Sequence, residues 1–322
     1  MDEHKTVWRQ ALSEDWLKWR ALTDWMGIPQ MHDHVNEVMT GGTRAENGDW
    51  IDYSLRSHLR PLLDASRDQR GSTVYGLSLV SFGCGPGNIE EDFLRRGWPI
   101  SRIVCREFDV ELLSHVRSRL ERFNLDKEFQ QFDFNDPEKN GFEKFDVAFF
   151  CHSMHHCTDI ERFLAYLNLV IKDDGIILGL DYFGPPRLQI AFETSKIIND
   201  IFEALPDRLR ANISAGGAVD AAFSVPTIAE CRSADPSEAP RSADLRASLF
   251  ATFPVIELLP MGGTLLRPLL AHRAGNFQTE EDKCILRLLS ILERELIRGR
   301  LIVSDMLYFV LGKSNRLPPG LI

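Results

Sequence analysis

Seven consecutive residues, CHSMHHC at 151–157, carry five side chains that can bind a metal or move a proton. Histidine titrates near neutrality, so His155 and His156, at the start of a turn into the next helical segment, are the candidates for a general base. The competing role for both is that of hydrogen-bond partners that stabilise the fold. A zinc reading fails on spacing. The cluster matches no familiar ligand pattern, and Cys151 closes the apolar run FDVAFFC, a buried strand that would aim it away from some of these histidines. No metal is expected.

A second stretch, SFGCGPGNIEEDF at 81–93, asks for a different chemistry. Gly83, Gly85 and Gly87 follow an apolar run and precede an amphipathic one, so they form the turn from a strand into a helix. Without Cβ atoms such a turn can take positive φ angles and let a ligand touch its backbone. Its place at the carboxyl edge of a first strand is where open α/β sheets bind ligands. The dinucleotide pattern GxGxxG is absent, because Asn88 stands where its last glycine would be, and Glu90, Glu91 and Asp92 make the helix start acidic. A pyrophosphate is disfavoured there and a cationic ligand is tolerated. Glu107, at the end of the second strand, can accept hydrogen bonds from ribose hydroxyls. Asp133, at the end of the third, can accept from an adenine amino group, with Phe132 or Phe134 covering the ring. Three strand ends thus predict a nucleoside pocket.

The elements that hold these residues alternate in texture. LSLVSF, RIVCREF, EFQQFDF, FDVAFFC and GIILGLDYF are short and mostly continuous in apolar character, as parallel strands covered on both faces are. IEEDFLRRG, DVELLSHVRSRLERF and DIERFLAYLNLVIKDDG read as the helices between them. FPVIELLPMGG and DMLYFVLGK add two strands near the C-terminus. The fold class is α/β, a doubly wound, mostly parallel seven-stranded sheet. Residues 1–70 form a helical preface with Trp8, Leu12, Trp16, Trp19 and Leu22 near the helical period. Residues 71–184 form the core, 185–252 a lid insertion over the acceptor, and 253–322 the rest of the core. Phe192, Phe202, Phe223 and the N-terminal tryptophans are candidates for pocket lining, with ordinary burial as the alternative. The helical stretch 264–299 would carry a dimer interface or more pocket wall.

The segment from about Leu77 to Phe183 resembles the class I S-adenosylmethionine-dependent methyltransferases. SFGCGPG resembles the first motif of that superfamily, Glu107 its ribose-binding acid and Asp133 its adenine-edge acid. FDVAFFCHSMHHCTDIERFLAYLNLVIKDDGIILGLDYFGP resembles its run from fourth to fifth strand. The resemblance implies a Rossmann-like methyltransferase fold and the cofactor S-adenosyl-L-methionine, with S-adenosyl-L-homocysteine as product. It implies cofactor contacts at Gly83, Cys84, Gly85, Gly87, Glu107, Phe108, Asp133, Phe134, Cys151 and His152. The chain departs from the family in CREFDVELL, where Glu107 stands in place of the commoner aspartate. DPSEAPRS and MGGTLLRPLLAH resemble a subgroup of bacterial methyltransferases found with polysaccharide or specialised-metabolite pathways. Methyl transfer is an in-line displacement from a sulfonium, so positioning the acceptor matters most. Asp181 and Tyr182, at the end of the fifth strand, are expected to meet the substrate. The alternatives are a cofactor-binding protein without turnover and a nicotinamide-dependent oxidoreductase.

Composition narrows the partners. With 47 acidic against 37 basic residues the formal net charge is -10, which disfavours nucleic acid and anionic membranes and leaves a small-molecule acceptor, an oxygen, nitrogen or carbon atom of which would take the methyl group. The polar start MDEHKTVWRQ lacks a secretory pattern, and six scattered cysteines without CxxC spacing suit reduced thiols, so a cytoplasmic location is expected. A homodimer is compatible with the C-terminal helices.

Overall fold

The computed structural model describes Arg9 and residues 12–42, 48–70 and 75–313. Its centre is a seven-stranded sheet: β1 (Leu77–Phe82), β2 (Ile100–Glu107), β3 (Asp126–Gln131), β4 (Phe145–Cys151), β5 (Ile171–Tyr182), β6 (Val255–Gly262) and β7 (Met306–Gly312). Their order across the sheet is β3-β2-β1-β4-β5-β7-β6. The first five are parallel, and β7 runs antiparallel to both of its neighbours. From β1 the chain winds outward through β2 to β3, then returns to the other side of β1 as β4. The crevice between the carboxyl ends of β1 and β4 is therefore the topological switch point, where ligands bind in open sheets.

Alternation along the strands feeds two apolar layers. Leu79, Val147, Phe149, Leu178 and Tyr308 face one side, where the preface supplies Trp25, Met31, Val35 and Leu59. Val80, Phe82, Ala148, Phe150 and Ile177 face the other, where Phe163, Leu164, Leu167, Leu245 and Leu249 close the layer. Because both faces are covered, these strands read as apolar runs and not as alternating ones. The helical preface is α1 (Glu14–Thr23), α2 (Pro29–Thr40) and α3, residues 50–70. It is tied down by the buried pair His34 with Glu293, 2.7 Å apart, and by Ser54 with Tyr308, 2.9 Å. Within α3 the turn Leu55–Leu59 widens to π geometry just before Pro61, which lacks an amide hydrogen and whose ring would crowd a regular helical turn.

Helices α4 (Asn88–Arg95), α5 (Val110–Leu120) and α6 (Ile160–Val170) connect the parallel strands. The insertion after β5 is built of α7 (Phe192–Ala204), a two-residue hairpin pairing Ala211–Asn212 with Ala218–Val219, α8 (Ile228–Ala234) and α9 (Ser242–Thr252). Then follow α10 (Leu266–Leu270) and α11 (Glu280–Arg298).

Three boundaries differ from the sequence expectation. β3 stops at Gln131, and Phe132-Asp133-Phe134 leaves the sheet because the Asp133 carboxylate accepts from the Asn135 amide at 2.8 Å and turns the chain. β5 starts four residues early, at Ile171, which pairs with Phe145 across a register shift. The helix expected over TLLRPLLAHRAGNF ends at Leu270, since His272 takes a positive φ of 60°. All six cysteines are free thiols. No helix among the described residues is long and apolar enough to cross a membrane.

Candidate functional site

A cavity of about 820 Å³ opens at the switch point. Its floor is the turn after β1. Gly83 has a φ of 66°, and a Cβ on it would lie 2.5 Å from the Ser153 Cβ, so only glycine lets the β1 and β4 turns meet. Gly85 has a φ of 54° with no atom within 4 Å of where its Cβ would be, so its backbone is bare toward the cavity. Gly87 does not line the cavity. It caps α4 and packs against Val116.

Glu107, the last residue of β2, is almost wholly buried, and its carboxylate accepts from the amides of Gly85 at 2.8 Å and Asp109 at 3.1 Å. Burial pushes its pKa up against these hydrogen bonds. The Gly85 contact couples the glycine turn to the acid and fixes both. A carboxylate has roughly four acceptor sites, so Glu107 keeps capacity for a ligand hydroxyl. Cys84, Phe108, Asp133 and Phe134 complete this end of the cavity. Phe132 also touches it but is a core residue, 5.1 Å from Phe82 between ring centroids, which leaves the half-buried Phe134 as the ring that can cover a base.

The acids at the start of α4 do not face the cavity. Glu90 turns inward to accept from Ser81 Oγ at 2.5 Å, Glu91 pairs with Arg119 and Arg122, and Asp92 pairs with Arg96. The acidic helix start, which a cationic ligand would tolerate, is taken up by these internal contacts.

The opposite wall is the turn after β4, with Cys151, His152, Ser153, His155 and His156. Asp181 lies beneath it, fully buried. One of its oxygens accepts from the amides of Ser153 and Met154, at 3.0 and 2.7 Å, and the other from His155 Nδ1 at 2.5 Å and the Tyr182 amide at 2.8 Å. Burial opposes its charge, but His155 and these amides outweigh burial and hold its pKa at about 2. Burial likewise opposes the charged form of His155, and Asp181 and Glu238 overcome it, raising the pKa to about 9. His155 is therefore a donor at neutral pH and not a base. His156, whose Nδ1 lies 3.0 Å from Ser237 Oγ, has its pKa lowered by burial and by the charge on His155, so it is the neutral imidazole of the two. His152 takes a strained φ of 52°. Burial by the surrounding protein lowers its pKa to about 4, against the nearby Asp181 carboxylate and with the charge on His155.

Asp181 and Tyr182 do not line the cavity, contrary to their expected contact with substrate. Asp181 instead positions His155. The Tyr182 hydroxyl donates to the Pro185 carbonyl at 2.8 Å, under the Arg267 guanidinium. Among the described residues, the aromatics named as candidates for pocket lining, with burial as the alternative, do not line the cavity. Phe202 is in the core, Phe192 projects outward, and Phe223 packs on the core. Trp25 is buried and Trp19 lies 6.2 Å from His272 with the rings tilted, while Trp8 and the Trp16 side chain fall outside the described residues. The roof is polar: Arg20 and Asp24 come from the end of α1, and Asp235, Ser237 and Glu238 from the loop between α8 and α9. The signal for the last three was in DPSEAPRS, whose charged and hydroxyl groups were read only for resemblance.

Residues 80–177 match the family model described as a methyltransferase domain. This segment is similar to methyltransferase domains, and the match leaves the rest of the chain uncovered. The class I resemblance holds across it, since the matched stretch runs from β1 into β5 and contains the glycine turn, Glu107, Asp133 and the histidine turn. No curated protein matches the chain. Among solved structures, the cyclopropane synthase MmaA2 from Mycobacterium tuberculosis is 15% identical over 96% of this chain and 97% of that one, with a TM-score of 0.49. An S-adenosylmethionine-dependent methyltransferase from Mesorhizobium loti is 13% identical over 79% and 95%, TM-score 0.40. The geranyl diphosphate C-methyltransferase from Streptomyces coelicolor A3(2) is 12% identical over 85% and 86%, TM-score 0.41. Likeness this low carries neither substrate nor chemistry from those proteins to this chain.

Proposed function

We propose that the protein transfers a methyl group from S-adenosyl-L-methionine to a small polar acceptor. The observation that supports this most is the hydrogen bond from the Gly85 amide to Glu107, which joins a bare backbone turn and a ribose-accepting acid in one rigid seat. In this reading a ribose hydroxyl donates to Glu107, the adenine amino group to Asp133, and Phe134 covers the ring. Cys84, Phe108, Cys151 and His152 enclose the rest of the nucleoside and the sulfonium. Acidic groups around the cavity favour that cation electrostatically.

The acceptor enters at the histidine wall. Asp24, Asp235, Ser237 and Glu238 present acceptor oxygens there beside Arg20, so a molecule rich in hydroxyl or amine groups fits better than an apolar one. Transfer forms a bond from the acceptor atom to the methyl carbon as the S–C bond breaks, leaving the thioether S-adenosyl-L-homocysteine. The acceptor's proton leaves toward His156, the neutral imidazole, while Asp181 and His155 hold the wall in place. Calorimetric titration with S-adenosyl-L-methionine, S-adenosyl-L-homocysteine and NADH tests the seat. Micromolar binding of the first two alone is expected, and binding of NADH alone would overturn the reading. Methyl transfer in a screen of hydroxyl and amine acceptors separates an enzyme from a silent binding protein.

A further inference from the structure

The spacing of CHSMHHC argued against a metal because it counted only ligands close in sequence. The fold supplies another from the insertion. One nitrogen of His155, one of His156 and one carboxylate oxygen of Glu238 all lie within 4.8 Å of one another at the edge of the cavity. His155 Nε2 is already 3.5 Å from Glu238 Oε1. Ligand atoms around a tetrahedral zinc ion at roughly 2.1 Å stand about 3.4 Å apart, so this pair is spaced for coordination. The group as a whole needs a contraction of at most about 1.4 Å, to which the Glu238 side chain, on a loop and a quarter exposed, can contribute.

The outer contacts of the imidazoles fit the same purpose. His155 Nδ1 is held by Asp181 at 2.5 Å, the carboxylate–histidine arrangement that orients a metal-binding imidazole and raises its basicity. His156 Nδ1 meets Ser237 Oγ at 3.0 Å, and that hydroxyl in turn donates to Asp235 at 2.6 Å. Each histidine thus has an oriented ring, and each orienting group is itself held. We propose that His155, His156 and Glu238 bind a divalent transition cation of the zinc class. Two imidazoles and one carboxylate are the protein ligands of open catalytic zinc sites, which keep a further position for water or substrate. Here that position faces the cavity.

The role of the ion deepens the methyl-transfer reading and rests on it, whereas its binding does not. An acceptor hydroxyl bound to the cation loses its proton more readily. The proton passes to water, and the oxygen lone pair forms the C–O bond as the S–C bond breaks. A nitrogen bound to the ion holds no proton, so binding displaces the Nε2 proton of His155 to water and moves activation of the acceptor from His156 to the cation.

The test uses the full chain stripped with a chelator and titrated calorimetrically with zinc chloride, with magnesium chloride as the control. One zinc ion per chain is expected, with magnesium binding far more weakly. Glu238→Gln and His156→Ala should each weaken zinc binding by at least about tenfold while thermal melting shows both folded. Wild-type binding well below one ion per chain, or variants that bind zinc as wild type does because the free cysteines hold it, would overturn the proposal. Titration with S-adenosyl-L-methionine in parallel separates the two readings. Zinc without cofactor binding removes the methyltransferase function and leaves the ion site, and cofactor without zinc does the reverse.

Discussion

Glu90 offers the sharpest test of the electrostatics beneath the glycine turn. Its side chain is buried to 1% exposure, one oxygen accepts from Ser81 Oγ, and the other has no hydrogen-bond partner among the described residues. Burial is the main cause of a pKa raised from 4.5 to about 7, opposed by the Ser81 hydrogen bond and aided by Glu107. Between those two values the folded protein holds a proton that the unfolded chain has released, so folding takes up a proton and stability falls as pH rises. The full shift corresponds to about 3 kcal/mol at 1.36 kcal/mol per unit, most of which falls between pH 5 and pH 8 by the same linkage. Glu90→Gln keeps the shape and removes the titration. Urea unfolding of both proteins at pH 5 and pH 8 should therefore show a gap of about 1 kcal/mol or less at the lower pH, widening to about 3 kcal/mol in favour of the variant at the higher one. A difference between the two proteins that is the same at both pH values would refute the argument, because it would mean that Glu90 titrates alike in the folded and unfolded chains.

Other substitutions separate folding from binding. Gly83→Ala places a methyl group 2.5 Å from the Ser153 Cβ at a φ of 66°, and should cost about 3 kcal/mol in urea unfolding. Gly85→Ala meets no neighbour and should cost only about 1 kcal/mol, yet weaken cofactor affinity measured by calorimetry. Asp133→Ala should lower affinity for S-adenosyl-L-methionine by about tenfold or more with little change in melting temperature. Asp181→Asn turns an amide toward backbone donors that the carboxylate now accepts, and should destabilise the fold by about 3 kcal/mol or more in the same unfolding assay.

What the sequence revealed follows the range over which its signals act. The glycine turn, Glu107 and Asp133 each sit where a strand ends, and a strand end is marked by its own few residues, so three local readings converge on one seat without any long-range information. The strand run was legible for the same reason: Leu79 and Val80, or Phe149 and Phe150, are apolar on adjacent positions because both sheet faces are covered. The roof was not legible. Large aromatic side chains in the preface and insertion could line a pocket or pack on the sheet; burial is where such volume gains most, and Trp25 and Phe202 are spent there. The groups that do reach the cavity from above, Arg20, Asp24, Asp235, Ser237 and Glu238, look in sequence like ordinary solvated residues. Asp181 shows the complementary error. Its position at the end of β5 was read as a place facing substrate, whereas the turn after β4 folds over it and takes all of its hydrogen-bonding into backbone and His155. A carboxylate at a strand end is a ligand contact only if the neighbouring turn leaves it bare, and that depends on a different stretch of chain. The same dependence explains the metal reading: two histidines four strands into the fold acquire a third ligand, Glu238, only when the insertion closes above them, so the pattern exists in the folded chain and not in any window of its sequence.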